Sequence, residues 1–313
     1  MKLLVTGGCG YKGSVLVPKL LKAGYSVRVL DKMWFGNLLE PHPNLEIDEA
    51  DVINAGKLDL SDIEGIIHLA SIANDPTGDL NPKLTWETSG LATMQLADAA
   101  ARAGVKKFIY ASSGSVYGIK EEEQVTEDLP LVPISEYNKT KMVAERCLLS
   151  YSDKMTVQIL RPATVCGVSP RMRFDVSVNL LTLSALKKQK ITVFGGDQIR
   201  PNVHIEDITS AYLFFLDNPC FTGVFNVGFE NLSIMQIARM VQDKLEVPIE
   251  VTPSDDPRSY RVNSNKILET GFKPKFRVKD AINEIIDAYM NGTLKDEERW
   301  HNLNWMKKNS LHY

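Results

Sequence analysis

The sequence predicts an α/β fold built on a doubly wound parallel sheet, with a smaller α/β domain beside it. Three observations carry that prediction. Short apolar runs alternate with segments of helical period through the first half of the chain. A glycine cluster stands where the first apolar run gives way to the first helical one. After about residue 168 the alternation loosens, and 313 residues suit about two domains at roughly 150 residues each.

The pattern predicts a strand over 3–6, a glycine-rich turn, and a helix over 12–23 that stops at Gly24. Pro18 lies inside that helix and should weaken or bend it. Strands come next at 27–30, closing on Asp31, and more weakly at 45–47. A buried-looking strand at 66–70 leads into a loop through Asn74, Asp75 and Pro76. A long helix over 84–103 stops at Gly104; a strand at 107–112, a helix over 138–150 and a strand at 156–160 complete the alternation. Right-handed crossovers then place helices on both faces. Beyond that, a helix is expected over 173–188, strands at 191–194 and 202–205, and a helix over 233–246 opened by the capping box Ser233-x-x-Gln236. Residues 248–257 read as loop with a short strand, and 279–290 as a final amphipathic helix. The tail, 292–313, is polar with two tryptophans, and its pattern assigns no element.

Composition excludes classes. The hydrophobic fraction is 44% and the charged fraction 24%, ordinary for a globular protein. With 36 Lys+Arg against 39 Asp+Glu the net charge is −3, which speaks against a nucleic-acid binder or a membrane-surface protein. Cys9, Cys147, Cys166 and Cys220 form no Cys-x-x-Cys pair, so no structural metal or disulfide framework is expected. The amino-terminal apolar run is too short for a secretory leader, and no stretch of about 18 apolar residues occurs. A cytoplasmic location is expected.

Gly7, Gly10 and Gly13 have the spacing Gly-x-x-Gly-x-x-Gly, with Tyr11 and Lys12 between the last two. Alone, such a triplet is equally a plain turn. Between a strand and a helix of a βαβ unit it suits a dinucleotide: the glycines allow a tight turn and close approach to a pyrophosphate, and the helix start receives the phosphate charge. Asp31, 18 residues after Gly13, can accept hydrogen bonds from both ribose hydroxyls and would repel a 2′-phosphate. The expected cofactor is therefore NAD rather than NADP, although Lys32 beside it could tolerate a phosphate. Asp51 and Val52 could sit at the adenine; Asp51 is otherwise an ordinary loop acid. Together these features define a Rossmann-type sheet.

Tyr137 and Lys141 are i and i+4 on one helix and share a face. A tyrosine has a pKa of about 10, so ionising it at pH 7 costs about 4 kcal/mol. A nearby ammonium and the positive charge of the oxidised cofactor can supply much of that. Ser113 ends a strand at the carboxyl edge of the sheet, where ligands of open α/β sheets bind. A Tyr-x-x-x-Lys alone is usually a surface pair; beside the glycine loop, Asp31 and Ser113 it points to catalysis.

Here the sequence resembles the extended short-chain dehydrogenase/reductase family, in its NAD-dependent nucleotide-sugar epimerase/dehydratase branch, with UDP-glucose 4-epimerases as its type. The resemblance spans about residues 1–291. It rests on the glycine loop, His68-Leu69-Ala70-Ser71, the segment from Ser112 to Gly118, Tyr137 to Lys141, Arg161-Pro162, Val203 to Asp207, and Gly271-Phe272-Lys273-Pro274. It implies a smaller α/β substrate-binding domain, Tyr137 as general base, Lys141 as the cation that lowers its pKa and holds the nicotinamide ribose, and Ser113 as the group that orients the reacting hydroxyl. Leu69, Ala70 and Ser71 would line the cofactor, and Pro162 would lie near the nicotinamide. Arg200 and Arg258 would clamp a nucleotide diphosphate, a task that suits guanidinium forks, or are ordinary surface arginines. Asn74, Ser115 and Thr164 are the candidates for sugar contacts. Asn74, with Asp75, could as well serve the turn. Arg171 and Arg173 are weaker phosphate candidates, and His68 and His204 are expected to be structural.

The resemblance also implies a homodimer, through the helices at 84–103 and 142–149. It implies a nucleotide-sugar 4-epimerase acting through a 4-keto intermediate. The alternative is an NAD(P)-dependent nucleotide-sugar 4-dehydrogenase or 4-keto reductase. A 4,6-dehydratase is disfavoured, because such enzymes place Asp-Glu directly after the catalytic Ser/Thr and this chain has Gly114 and Ser115. A non-catalytic NAD-binding regulator is disfavoured by the intact Ser113, Tyr137, Lys141 set. Ser89, Thr164 and Cys166 stand where the family often has Asn, Asn and Tyr. The expected division is a cofactor domain over 1–168 to which 200–217 returns, a substrate domain over 169–199 and 218–291, and the tail.

Overall fold

The computed structural model describes residues 1–254 and 259–311. Six parallel strands come first, with α-helices in the connections after β1, β4 and β5: β1 (Lys2–Thr6), β2 (Ser26–Asp31), β3 (Leu45–Glu49), β4 (Gly65–His68), β5 (Lys107–Ala111) and β6 (Thr156–Pro162). Three more, β7 (Thr164–Cys166), β8 (Ile191–Phe194) and β9 (Ile199–His204), lie in the smaller region, and β10 (Gly223–Val227) then returns to the main sheet. The seven strands lie in the order β10-β6-β5-β4-β1-β2-β3. Strand order therefore reverses between β1 and β4, and the crevice at their carboxyl ends is where a ligand binds in such sheets.

The apolar runs are nearly continuous because helices cover both faces. Successive residues point to opposite sides. Leu3 and Val5 face α1 (Gly13–Lys22), through Leu16 and Leu20, while Leu4 faces the core that holds Leu96 and Ala100. Leu96 and Ala100 belong to the helix that ends at Gly104, whose φ of +75° makes it a left-handed stop. Pro18 sits inside α1 without ending it.

Four expectations are corrected. The long helix of 84–103 comes in three pieces: α2 (Asp75–Gly78) precedes α3 (Pro82–Thr85), a wide π turn spans Trp86–Leu91, and α4 (Ala92–Ala103) completes it. The turn lets Gly90 lie against the Trp86 ring, where a Cβ would come within 3.1 Å, and lets Ser89 reach Ser71 and the Ile72 amide. After α5 (Glu136–Leu149), the helix expected from 173 begins only with α6 (Ser177–Lys188), because Arg173 and Asp175 are held in an ion pair and Val176 is extended. The strand expected at 202–205 is β9; Ile205 already opens α7 (Ile205–Asp217), capped by the His204 ring. Finally, the substrate-side division from 218 is cut too early, since β10 pairs with β6 and closes the main sheet (Phe225 opposite Leu160).

The smaller region holds a three-stranded sheet, β9 between β7 and β11 (Glu230–Ser233), and a two-stranded one, β8 with β12 (Ile249–Thr252). They pack with α6, α8 (Ile234–Leu245) and α10 (Val278–Met290) around Val178, Val193, Ile237, Val241 and Ile282, while the short α9 (Asn265–Glu269) lies beside β10. The tail is folded: Trp300, 3% exposed, packs with Tyr11 and Phe174, and α11 (Asn302–Lys308) comes after it.

Candidate active site

A cleft of about 810 Å³ opens at the carboxyl ends of the central strands. Its floor is the glycine loop. Gly7 has φ +71°, and a Cβ there would lie 2.7 Å from the Ala70 amide nitrogen. A Cβ on Gly13 would overlap the carbonyls of Gly7 and Gly8. The loop thus leads into α1 packed so tightly, on itself and on the backbone at Ala70, that only glycine fits at these two positions. Tyr11 locks it from behind, its hydroxyl donating to the Gly167 carbonyl (2.7 Å) and accepting from Asn179 (3.0 Å).

Asp31 lies beside the loop at the end of β2. Its carboxylate accepts the Cys9 amide (3.0 Å) and the Met33 amide (2.8 Å), one on each oxygen, which leaves lone pairs for a ribose. Burial raises its pKa, and the two amides and Arg171 oppose that. Lys32 is committed elsewhere: its ammonium pairs with Asp51 at 2.6 Å and lies over the Trp34 ring. Asp51 in turn caps the turn that begins at Val52. Leu69, Ala70, Ser71 and Pro162 line the same cleft.

Ser113, Tyr137 and Lys141 converge. Ser113 acts on the Tyr137 hydroxyl in the sense that favours the phenolate. Lys141, 2% exposed, donates to the Ala111 carbonyl (2.8 Å) and stands 5.8 Å from the Tyr137 ring centre. Burial pushes the Tyr137 pKa up, against Ser113, and burial with the Lys12 ammonium holds Lys141 well below its usual range. The protein alone therefore keeps the tyrosine protonated. The lowering expected from Lys141 is not seen: Ser113 and Arg173 are the groups that lower the tyrosine, and burial outweighs both. Lys12 is itself lowered to about 8, by burial and then by Arg173. Ser115 hydrogen-bonds the Ser113 hydroxyl (2.7 Å) and the Asn138 side chain.

On the opposite wall Arg173 forms a two-pronged pair with Asp175 (2.9 Å), and Asp175 also receives Asn74 (2.7 Å). Asn74 has φ +74° and caps α2, so it serves the turn and the wall together. Thr164 and Arg200 also line the cleft. Arg258 lies outside the described residues. The sequence ranked Arg171 and Arg173 low and gave no place to Trp34, Phe35, Asn302 or Met306, all of which line the cleft. The two tail tryptophans were the one available signal, an apolar mass in a polar segment. Behind the site, Arg161 and Glu145 form a buried pair (2.7 Å) that also holds Ser112 and Tyr117; His68, lowered to about 3 by burial, bridges Thr6 and Thr93.

The chain matches the family described as "NAD dependent epimerase/dehydratase family" over residues 3–228. It is 30% identical to UDP-glucose 4-epimerase of Lactobacillus helveticus, over 90% of this chain and 94% of that protein. It is 28% identical to UDP-glucuronic acid decarboxylase 1 of Xenopus tropicalis, over 92% of this chain and 72% of that protein. Among solved structures it resembles UDP-glucose 4-epimerase of Thermotoga maritima with UDP-glucose (TM-score 0.84, 25% identity, 94% of this chain and all of that one). It also resembles UDP-glucuronic acid 4-epimerase of Bacillus cereus with UDP-glucuronic acid and NAD (TM-score 0.81, 27% identity, 94% of this chain and all of that one). No helix of the described residues is long and apolar enough to cross a membrane.

Proposed function

We propose, on the premise that this chain belongs to the NAD dependent epimerase/dehydratase family, that it is a nucleotide-sugar 4-epimerase working through a 4-keto sugar. The residues fit a dinucleotide: the loop at Gly7 and Gly13 leaves no room for a Cβ, and Asp31 keeps acceptor capacity for a ribose. NAD, when bound, supplies the hydride acceptor and then the hydride donor at sugar C4. Tyr137 takes the proton of the sugar 4-hydroxyl and later returns it, and Ser113 orients that hydroxyl. Lys141, held by the Ala111 carbonyl beside the Tyr137 ring, would hold the nicotinamide ribose. Arg200, with Arg258, binds the diphosphate, and Asn74, Ser115 and Thr164 meet the sugar. The smaller region, made of 169–199 and the segment after β10, selects that sugar.

The epimerase reading is carried by the two residues after Ser113. Gly114 has no side chain, and Ser115 offers only a hydroxyl, bonded to Ser113 and Asn138 with one lone pair left for a sugar. Neither residue offers a carboxyl group to drive loss of water, while the set for hydride transfer is intact. The relatives' names make uridine diphosphate sugars the first to test. Incubation with a panel of UDP-, GDP-, dTDP- and CDP-sugars should give the C4 epimer without added NAD and without net NADH. Stoichiometric NADH would replace this reading with a 4-dehydrogenase, and release of CO₂ from a uronic-acid substrate with a decarboxylase.

We also propose a homodimer, supported by Leu91 and Met94, which are 47% and 41% exposed on the outer side of the π turn and α4. A cytoplasmic location is part of the same proposal.

A further inference from the structure

The tail reaches the cleft at the end where Asp31 stands. The Trp305 indole donates to the Trp34 carbonyl (2.7 Å), just after β2. Asn302, 4% exposed, accepts from Arg171 (2.7 Å), and Met306, 3% exposed, packs in one cluster with Ile72, Leu84, Trp34 and Phe35. Asn302 and Met306 are themselves cleft-lining residues, so the helix does more than cover a core. Arg171 is the hinge of the arrangement. It is 2% exposed, and its guanidinium lies 4.0 Å from the Phe35 ring centre. Its Nη atoms serve Asn302 and the Met172 carbonyl, and its Nε–H meets no acceptor among the described residues.

A buried guanidinium donor without an acceptor is costly, and such groups are rare in folded proteins. Nε itself is buried, but Arg171 is among the residues that line the cleft that Asp31 also lines, where an incoming ligand can bring an acceptor to the guanidinium. We propose that α11 completes the cofactor site: Arg171, oriented by Asn302 and Phe35, donates to a ribose or phosphate oxygen of the adenosine half, and Met306 supplies an apolar wall beside it. The strap from Trp305 to Trp34 fixes the helix in place. The inference rests on the reading of the cleft as a dinucleotide site and assigns it a part contributed from outside residues 3–228.

The test uses the full chain, with NAD, AMP and nicotinamide mononucleotide as probes. Asn302→Ala and Trp305→Ala should each weaken AMP and NAD binding about tenfold or more, the scale of one lost hydrogen bond in a buried site. They should leave the affinity for nicotinamide mononucleotide unchanged and lower the NAD retained on purification. Lys307→Ala, on the exposed side of the same helix, should bind all three as the parent does. Unchanged AMP and NAD affinity in folded variants overturns the proposal, as does an equal loss for all three probes, which marks a general structural role. If Trp305→Ala fails to fold, Asn302→Ala decides alone, since it removes only the amide. Failure of the parent itself to bind NAD or AMP is a different result: it removes the cofactor reading, and this inference with it.

Discussion

Tyr137 and Lys12 show how far burial opposes the chemistry they are placed to do. Burial raises Tyr137 and lowers Lys141, so the cleft without its cofactor holds a neutral phenol beside an easily deprotonated amine. Tyr137→Phe should cut turnover by about 10²–10⁴-fold while NAD binding persists, measured by epimer formation and by retained NAD. Lys12 carries a linked prediction. Its folded-state pKa is about 8 against an ordinary 10.5, so between those values the unfolded chain binds more protons and stability rises with pH. Below about 8 the charge is simply a burden. Cofactor-free protein should therefore gain stability between about pH 8 and 10 in chemical denaturation, and Lys12→Met should reduce that gain to the part that buried Lys141 contributes while raising stability at pH 7. The local motifs were legible because their partners are close in sequence: Gly7 to Gly13, Tyr137 to Lys141. The role of Arg171, and the wall that Asn74 builds with the Arg173–Asp175 pair, were not, since Asn302 and Asn74 lie about a hundred residues or more from Arg171 and Asp175 and no spacing rule joins them.

Among the elements, α5 and β6 are tied by a buried polar chain. Arg161 (4% exposed) and Glu145 (1% exposed) make a two-pronged pair, Ser112 and Tyr117 join it, and Asn226 of β10 accepts from Tyr117 (2.7 Å). Removing one partner leaves the other charged and buried, so Arg161→Met should cost about 3–5 kcal/mol in urea unfolding. Strand and helix existence came from period and stop signals. The π turn did not, because it depends on how closely Gly90 can approach Trp86, and a helical period runs through it unbroken. β10 was missed for a related reason: five residues at a sheet edge, two of them polar or glycine, carry too little pattern to stand out.

At the scale of the molecule, the proposed dimer is open to a direct check. Leu91→Arg should convert a dimer to a monomer in light scattering while leaving the fold intact, since Leu91 is exposed in the single chain. The placing of β10 has a consequence for how the chain is made. The outer edge of β6 is complete once residue 162 has left the ribosome, yet its neighbour is not synthesised until residue 227. At about 5–20 residues per second the nascent chain carries an open, apolar strand edge for several seconds. During that interval the edge is a template for mispairing with other chains, and binding by a chaperone there would be most useful before, and superfluous after, the Gly223–Val227 segment emerges.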